Sequence, residues 1–259
     1  MTATGGRVVV TRDGPVLRVL LSHPGRRNAL TWAMYDRLDA LPDDVTPDVR
    51  LVVLRGDGGE AFAAGTDIRQ LADFTGGSDG VAYERRVATT LARLGALAVP
   101  VLGIVEGAAV GAGLAIAAMC DVLVATPDAR FGVPIARTLG NCLPAAVVHR
   151  LRVRLGPART TAMLLTSQLI SAQEAVEAGL VSAVVPRVDL EAQVTEIENR
   201  ILAGAPLTLA ALKEIERRID SALAAVPDED LLARCYGSED FQEGIAAFLA
   251  HRPPQWTGR

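Results

Sequence analysis

Two small-residue turns hold the groups of this chain best suited to chemistry. They lie in Glu60-Ala61-Phe62-Ala63-Ala64-Gly65-Thr66-Asp67-Ile68 and in Gly107-Ala108-Ala109-Val110-Gly111-Ala112-Gly113, each just before a stretch that reads as a helix. A turn of Gly and Ala lets the backbone come close to a ligand, and its free N–H groups can hold an oxygen that becomes negative. Taken alone, either turn serves equally well for tight helix–strand packing. Further polar side chains gather in Ile135–Pro144, where Arg137, Thr138, Asn141 and Cys142 precede His149. Arg137 suits a carboxylate, a helix end or solvent, and Asn141 suits a carbonyl or a turn. Cys142 is a nucleophile only with a base beside it; a small buried thiol is the simpler expectation. His149 reads as a packed or surface imidazole, His23 as a strand-end residue and His251 as part of a basic tail. Glu60, Asp73, Asp79 and Glu84 stand around the first turn as further acids that could act there; solvated charge is the default expectation for all four. Asp67 reads as a helix N-cap, and Gln70 has the spacing of a capping box. Scattered histidines without a paired C-x-x-C or an H-E-x-x-H give no metal-ligand set.

The elements that must position these groups alternate between short apolar strands and helical stretches. Val8–Val10 and Val16–Leu21 flank Asp13-Gly14-Pro15 as a hairpin. Thr31 is the expected N-cap of a helix that runs to about Leu41, before Pro42. Leu51–Leu54, Pro100–Val105 and Val122–Ala125 read as buried strands, and Tyr83–Leu97 and Gly113–Met119 as helices. This alternation predicts an α/β core with parallel strands. Further helices are expected at 144–155, 157–165, 171–178, 190–202, 206–225 and 238–250, with a short strand at Val181–Val185. Pro157 and Pro206 sit well in first turns. The division expected is an α/β core over residues 1–190 and a helical region over 191–259.

The chain has 259 residues, half of them apolar, which is enough for a sizeable core. Its net charge of -4 gives no general attraction to nucleic acid. No apolar run is long enough to span a membrane, and Met1–Gly6 lacks the basic flank and apolar core of a signal peptide. An odd number of cysteines, Cys120, Cys142 and Cys235, suits reduced thiols, so a cytoplasmic location is expected.

Several segments in register resemble the crotonase (enoyl-CoA hydratase/isomerase) family. Asn28-Ala29-Leu30 is similar to its N-A-L segment, and Ala64-Gly65-Thr66-Asp67-Ile68 to A-G-A-D-[IL]. Gly107 to Asp121 resembles the G-x-x-x-G-G-G segment with its helix. Phe131-Gly132-Val133-Pro134 resembles F-G-x-P, and Ser171–Val181 resembles A-x-E-A-x-x-x-G-[LF]-V. The order and spacing hold from about residue 7 to the C-terminus. The resemblance implies a spiral of ββα turns with a C-terminal helical trimerisation region. It also implies an acyl-CoA substrate, with coenzyme A as part of that substrate and no separate cofactor or metal. A homotrimer or a dimer of trimers is implied as well, with no nucleic-acid or membrane partner.

The resemblance further implies that the amides of Thr66 and Ala112 form an oxyanion hole for the thioester carbonyl. Main chain near Ala64, Thr66 and Ile68 would hold the adenine, and the loop around 26–28 the pantetheine and phosphates; Arg26 and Arg27 either supply charge for those phosphates or are solvated loop charges. Phe248, in a segment that in relatives lies near a neighbour's coenzyme A, would cover the nucleotide or pantetheine unless it is a core aromatic. Arg137 and Asn141 are the polar candidates for the acyl pocket. Hydratases of the family use two glutamates, and here Ala115 and Ile135 stand at those positions. Neither ionises, so neither can transfer a proton. An enolate-stabilising enzyme with other acid–base groups and a catalytically inactive acyl-CoA-binding oligomer both fit this pattern. A serine hydrolase on the related caseinolytic-protease fold fits poorly, because no G-x-S-x-G turn is present.

Overall fold

The computed structural model describes residues 5–223 and 226–259. The first hairpin forms as the sequence predicts, with β1 (Arg7–Asp13) antiparallel to β2 (Val16–Ser22). Thr31 caps α1 (Trp32–Asp39) by accepting from the Met34 amide. Pro42 does not end the helical path, because α2 (Leu41–Asp44) starts with that proline in its first turn, where a missing N–H costs nothing.

A three-fold repeat then builds the body. In each round, one strand joins a large sheet, the next joins a small sheet, and a helix follows. The first round is β3 (Leu51–Gly56), β4 (Ala61–Ala63) and α3 (Gly77–Gly95); the second is β5 (Val101–Val105), β6 (Ala108–Val110) and α4 (Ala112–Met119). The third is β7 (Val122–Ala125), β8 (Arg130–Gly132), the single turn α5 (Ile135–Thr138) and α6 (Ala145–Leu155). After α7 (Pro157–Thr166) come β9 (Ile170–Ser171), α8 (Ala172–Ala178) and β10 (Ala183–Val184). The large sheet has the order β1-β2-β3-β5-β7-β10 and the small sheet β4-β6-β8-β9. Among the described strands only the β1/β2 and β8/β9 pairs are antiparallel. This is the ββα spiral that the family resemblance implied.

The central strands are apolar on both faces because both faces are covered. Val52 and Leu54 point into the main core with α1, α3 and α4. Leu51 and Val53 pack with Leu102, Ile104 and Val124 beneath Leu190 and Val194 of α9 (Leu190–Leu202). The chain closes with α10 (Pro206–Leu223), α11 (Glu229–Tyr236) and α12 (Glu239–Leu249). The expected end of α10 at Ala224 and Ala225 lies outside the described residues. Ser171 forms a complete capping box with Glu174. Two departures from the sequence reading shape the cavity wall. Helix α3 starts at Gly77, six residues before the expected Tyr83, and α11 has no counterpart among the expected elements. Among the described residues no helix is long and apolar enough to cross a membrane.

Candidate functional site

The two small-residue turns meet. Gly65 and Gly111 both have positive φ, +98° and +57°. A Cβ added to Gly111 would lie 3.7 Å from the Gly65 Cα, so the turns are in van der Waals contact. Gly113 allows a second close approach, since a Cβ there would fall 2.0 Å from the Ala63 carbonyl oxygen. Only a residue without a side chain lets α4 begin directly on β4. The neighbouring amides are paired: Asp67 N–H donates to Leu30 O at 2.8 Å and Gly111 N–H to Gly132 O at 2.9 Å. The amides of Thr66 and Ala112 donate to nothing among the described residues. Ala112 opens α4, so its N–H is one of the donors every helix start leaves free.

Both turns line a cavity of about 690 Å³. Arg26, Arg27, Ala64, Thr66, Ile68, Ala112, Asn141 and Phe248 all reach its wall. Arg26 and Arg27 are exposed and make no ion pair among the described residues. Phe248 is 48% exposed, so it is not a core aromatic, and it lines its own chain's cavity together with Leu249 and His251. Arg137 is a correction: it is exposed and stays off the wall. The turn α5 explains this, because its helical spacing puts Ile135, Thr138 and Leu139 on the cavity side and Arg137 on the other. Ala115 and Ile135 line the cavity as apolar surface.

Two hydrogen-bonded chains that the sequence reading missed stiffen this wall. Thr66 Oγ1 lies 2.7 Å from both Tyr35 Oη and Tyr83 Oη, so the first turn is tied to α1 and α3. Burial raises the pKa of both phenols, which stay neutral. One residue along α3, Glu84 accepts a hydrogen bond from Tyr236 Oη of α11, and Asn141 Nδ2 donates to that same Oη at 2.9 Å. Glu84 lines the cavity yet is only 4% exposed. The expectation of a solvated charge is therefore wrong for this residue. Burial pushes its carboxyl up to about 8, Tyr236 opposes the rise, and Asp228 adds to it. The signal was present in the sequence: Gly80, Tyr83, Val87, Leu91 and Leu94 define the buried stripe of α3, and Glu84 falls on it. Tyr236 gave no such signal because its helix was not foreseen.

The remaining candidates have quieter roles. Glu60 and Asp73 are exposed, and Asp79 accepts from the amide and hydroxyl of Thr75. Asp67 caps the turn after it by accepting from Arg69 N–H and pairs with the Arg69 guanidinium, which lowers its pKa. Its capping box is absent, because Gln70 instead bonds Leu30 O and the Trp32 amide. Burial and the adjacent Cys235 push the Cys142 thiol up to about 11, opposite to what a thiolate nucleophile requires. His23 Nδ1 lies 2.7 Å from Ala29 O. Asn28 fixes the same loop through His23 N–H, Asp57 O and Ala61 O. His149 faces a separate cavity beside Asp220.

Comparisons with known proteins bear on this arrangement. A sequence model described as enoyl-CoA hydratase/isomerase matches residues 11–259. A 2,3-dehydroadipyl-CoA hydratase of Escherichia coli is 34% identical over 268 residues, covering 97% of this chain and 99% of the relative. A probable enoyl-CoA hydratase of Mycobacterium tuberculosis is 33% identical over 260 residues, covering 97% and 98%. The solved structure of a methylmalonyl-CoA decarboxylase in complex with 2-nitronate-propionyl-CoA superposes with a TM-score of 0.88 at 28% identity, covering 98% of this chain and 99% of that one.

Proposed function

The chain belongs to the enoyl-CoA hydratase/isomerase family, and we propose that it turns over an acyl-CoA whose thioester oxygen is held by the amides of Thr66 and Ala112 as an enolate forms. The observation that carries this reading is the pair of unpaired amides on touching turns at one cavity wall. One such donor stabilises a transition state by roughly 3 to 4 kcal/mol. The start of α4 adds its positive end at the same place. Arg26 and Arg27 supply charge for the phosphates, main chain at Ala64, Thr66 and Ile68 takes the adenine, and Phe248 covers the bound nucleotide arm. Coenzyme A enters as part of the substrate, and the working form is a trimer or a dimer of trimers.

Ala115 and Ile135 remove the pair of glutamates that would activate water, so simple hydration of a 2-enoyl-CoA is not the expected reaction. Reactions that need an enolate without activated water fit better. Shifting a double bond along the acyl chain is one, and loss of carbon dioxide from a malonyl-type thioester is another. The same two residues favour a second reading, a catalytically inactive acyl-CoA binder. A panel of 2-enoyl-, 3-enoyl- and methylmalonyl-type thioesters, followed by chromatography of the products, separates the two. Turnover of at least one member is expected. Tight binding with no turnover of any would leave only the binder.

A further inference from the structure

We propose that Glu84 is the catalytic acid–base residue of this site, exchanging a proton with the α-carbon of the bound acyl group from the α3 side of the cavity. The proposal rests on the enolate reading of the two amides and adds to it the group that reading lacks. Three observations converge on it.

The first is register. Tyr83 is locked to Thr66 Oγ1, so the next residue of α3 is held at a fixed place relative to the Thr66 amide. The second is atom economy within the side chain. Oε1 accepts from Tyr236 Oη, whereas Oε2 has no hydrogen-bond partner among the described residues, and Glu84 lines the cavity. The third is the choice of neighbours. Of the acids on the wall, Asp67 is neutralised by Arg69, and Glu84 alone has no cation paired with it among the described residues. The groups that face it are Tyr83 of α3, Tyr35 of α1, Cys142 of the loop between α5 and α6, and Tyr236 of α11 with Asp228 just before that helix. None is cationic, so its resting form near neutral pH is the uncharged acid.

The step balances without any further reagent. When the carboxylate form acts, the Cα–H bond breaks and the proton goes to Oε2. The bonding pair becomes the Cα–C double bond, and the carbonyl π pair moves onto the oxygen between the two amides. In the other direction, neutral Glu84 gives its proton to Cα, the thioester carbonyl reforms and the carboxylate is left accepting from Tyr236. Tyr236 and Asn141 are positioning residues: Asn141 Nδ2 donates to the phenol oxygen, which leaves the phenol hydrogen directed at Oε1.

The test is exchange of the α-protons of butyryl-CoA in D2O, read by proton NMR. Wild-type protein is expected to catalyse the exchange, with a rate that rises with pH and levels off above about 8 as Glu84 ionises. Glu84→Gln should slow it by roughly 100-fold or more while leaving butyryl-CoA affinity within a few-fold. Tyr236→Phe removes a hydrogen bond that favours the ionised carboxylate, so the midpoint should move to higher pH. A residue with only a structural role would not shift that midpoint. Thermal melts establish that each variant is folded; should Glu84→Gln unfold, the midpoint in Tyr236→Phe still decides. Exchange at the wild-type rate in folded Glu84→Gln, or an unmoved midpoint in Tyr236→Phe, overturns the assignment. If exchange is lost in Ala112→Pro but intact in Glu84→Gln, the oxyanion reading stands and this one falls. No exchange by the wild type overturns both.

Discussion

At the scale of single residues, the site depends on backbone groups as much as on side chains. In the proposed oxyanion hole Thr66 and Ala112 act through their amides, and a hydroxyl-bearing residue and an alanine both supply that donor. The Thr66 side chain has separate work, joining Tyr35 and Tyr83. Ala112→Pro separates amide from fold. Proline removes the N–H, and position 112 is the first of α4, where a proline fits the helix. The melting midpoint should stay within a few degrees, and turnover of whichever panel thioester is used should fall by roughly 100- to 1,000-fold. Full activity in a folded variant would remove Ala112 from the oxyanion hole. Little of this residue-level design is hidden in the sequence. The unpaired amides lie in glycine-rich turns that the sequence displays, and the proposed loss of the glutamate pair rests on reading Ala115 and Ile135 at those positions. Glu84 was harder to see, because a carboxylate on a helix is nearly always solvated, and only its register on the α3 stripe argues otherwise.

At the scale of elements, Glu84 is buried where α3 and α11 come together. The contact is close at one point: a Cβ on Gly80 would sit 1.9 Å from Tyr236 Cγ. A second glycine, Gly77, meets the Ala233 carbonyl oxygen at 2.2 Å by the same measure. The aromatic rings of Phe74, Tyr83, Tyr236 and Phe241 then fill the seam, with centroids 4.8 to 6.3 Å apart. Gly80→Ala should therefore push Tyr236 away from Glu84. A cost of about 1 to 3 kcal/mol is typical of overpacking. A lower denaturant midpoint should accompany an α-proton exchange profile displaced like that of Tyr236→Phe; unchanged values for both would show that α11 can yield. The central strands and most helices were legible from apolar runs, caps and prolines. Helix α11 was not, since its eight residues carry three charges of mixed sign and its burial is supplied by α3 rather than by its own pattern.

At the scale of the whole molecule, α10 carries an apolar stripe on its outer side. Two of its charges turn inward, where Lys213 Nζ lies 2.6 Å from Asp121 Oδ2 and Asp220 accepts from Arg150 at 2.6 Å, while Glu214, Arg217 and Arg218 pair with one another nearer the solvent. Its large apolar side chains turn outward, with Leu212, Ile215 and Ile219 each more than half exposed. Spacings of three and four put those three on one face. Leaving them in water forgoes roughly 1 kcal/mol per half-exposed side chain, a cost removed when a second copy covers the stripe. Phe248, Tyr236 and both turns belong to one chain. Assembly and acyl-CoA binding should therefore be separable. Light scattering of the wild type is expected to give at least three chains, and a clean monomer would contradict the assembly. Leu212→Glu combined with Ile219→Glu should reduce the mass while butyryl-CoA affinity, measured by calorimetry, stays within a few-fold. If the mass is unchanged, the copies meet elsewhere; if affinity collapses with the mass, the neighbouring chain completes the site.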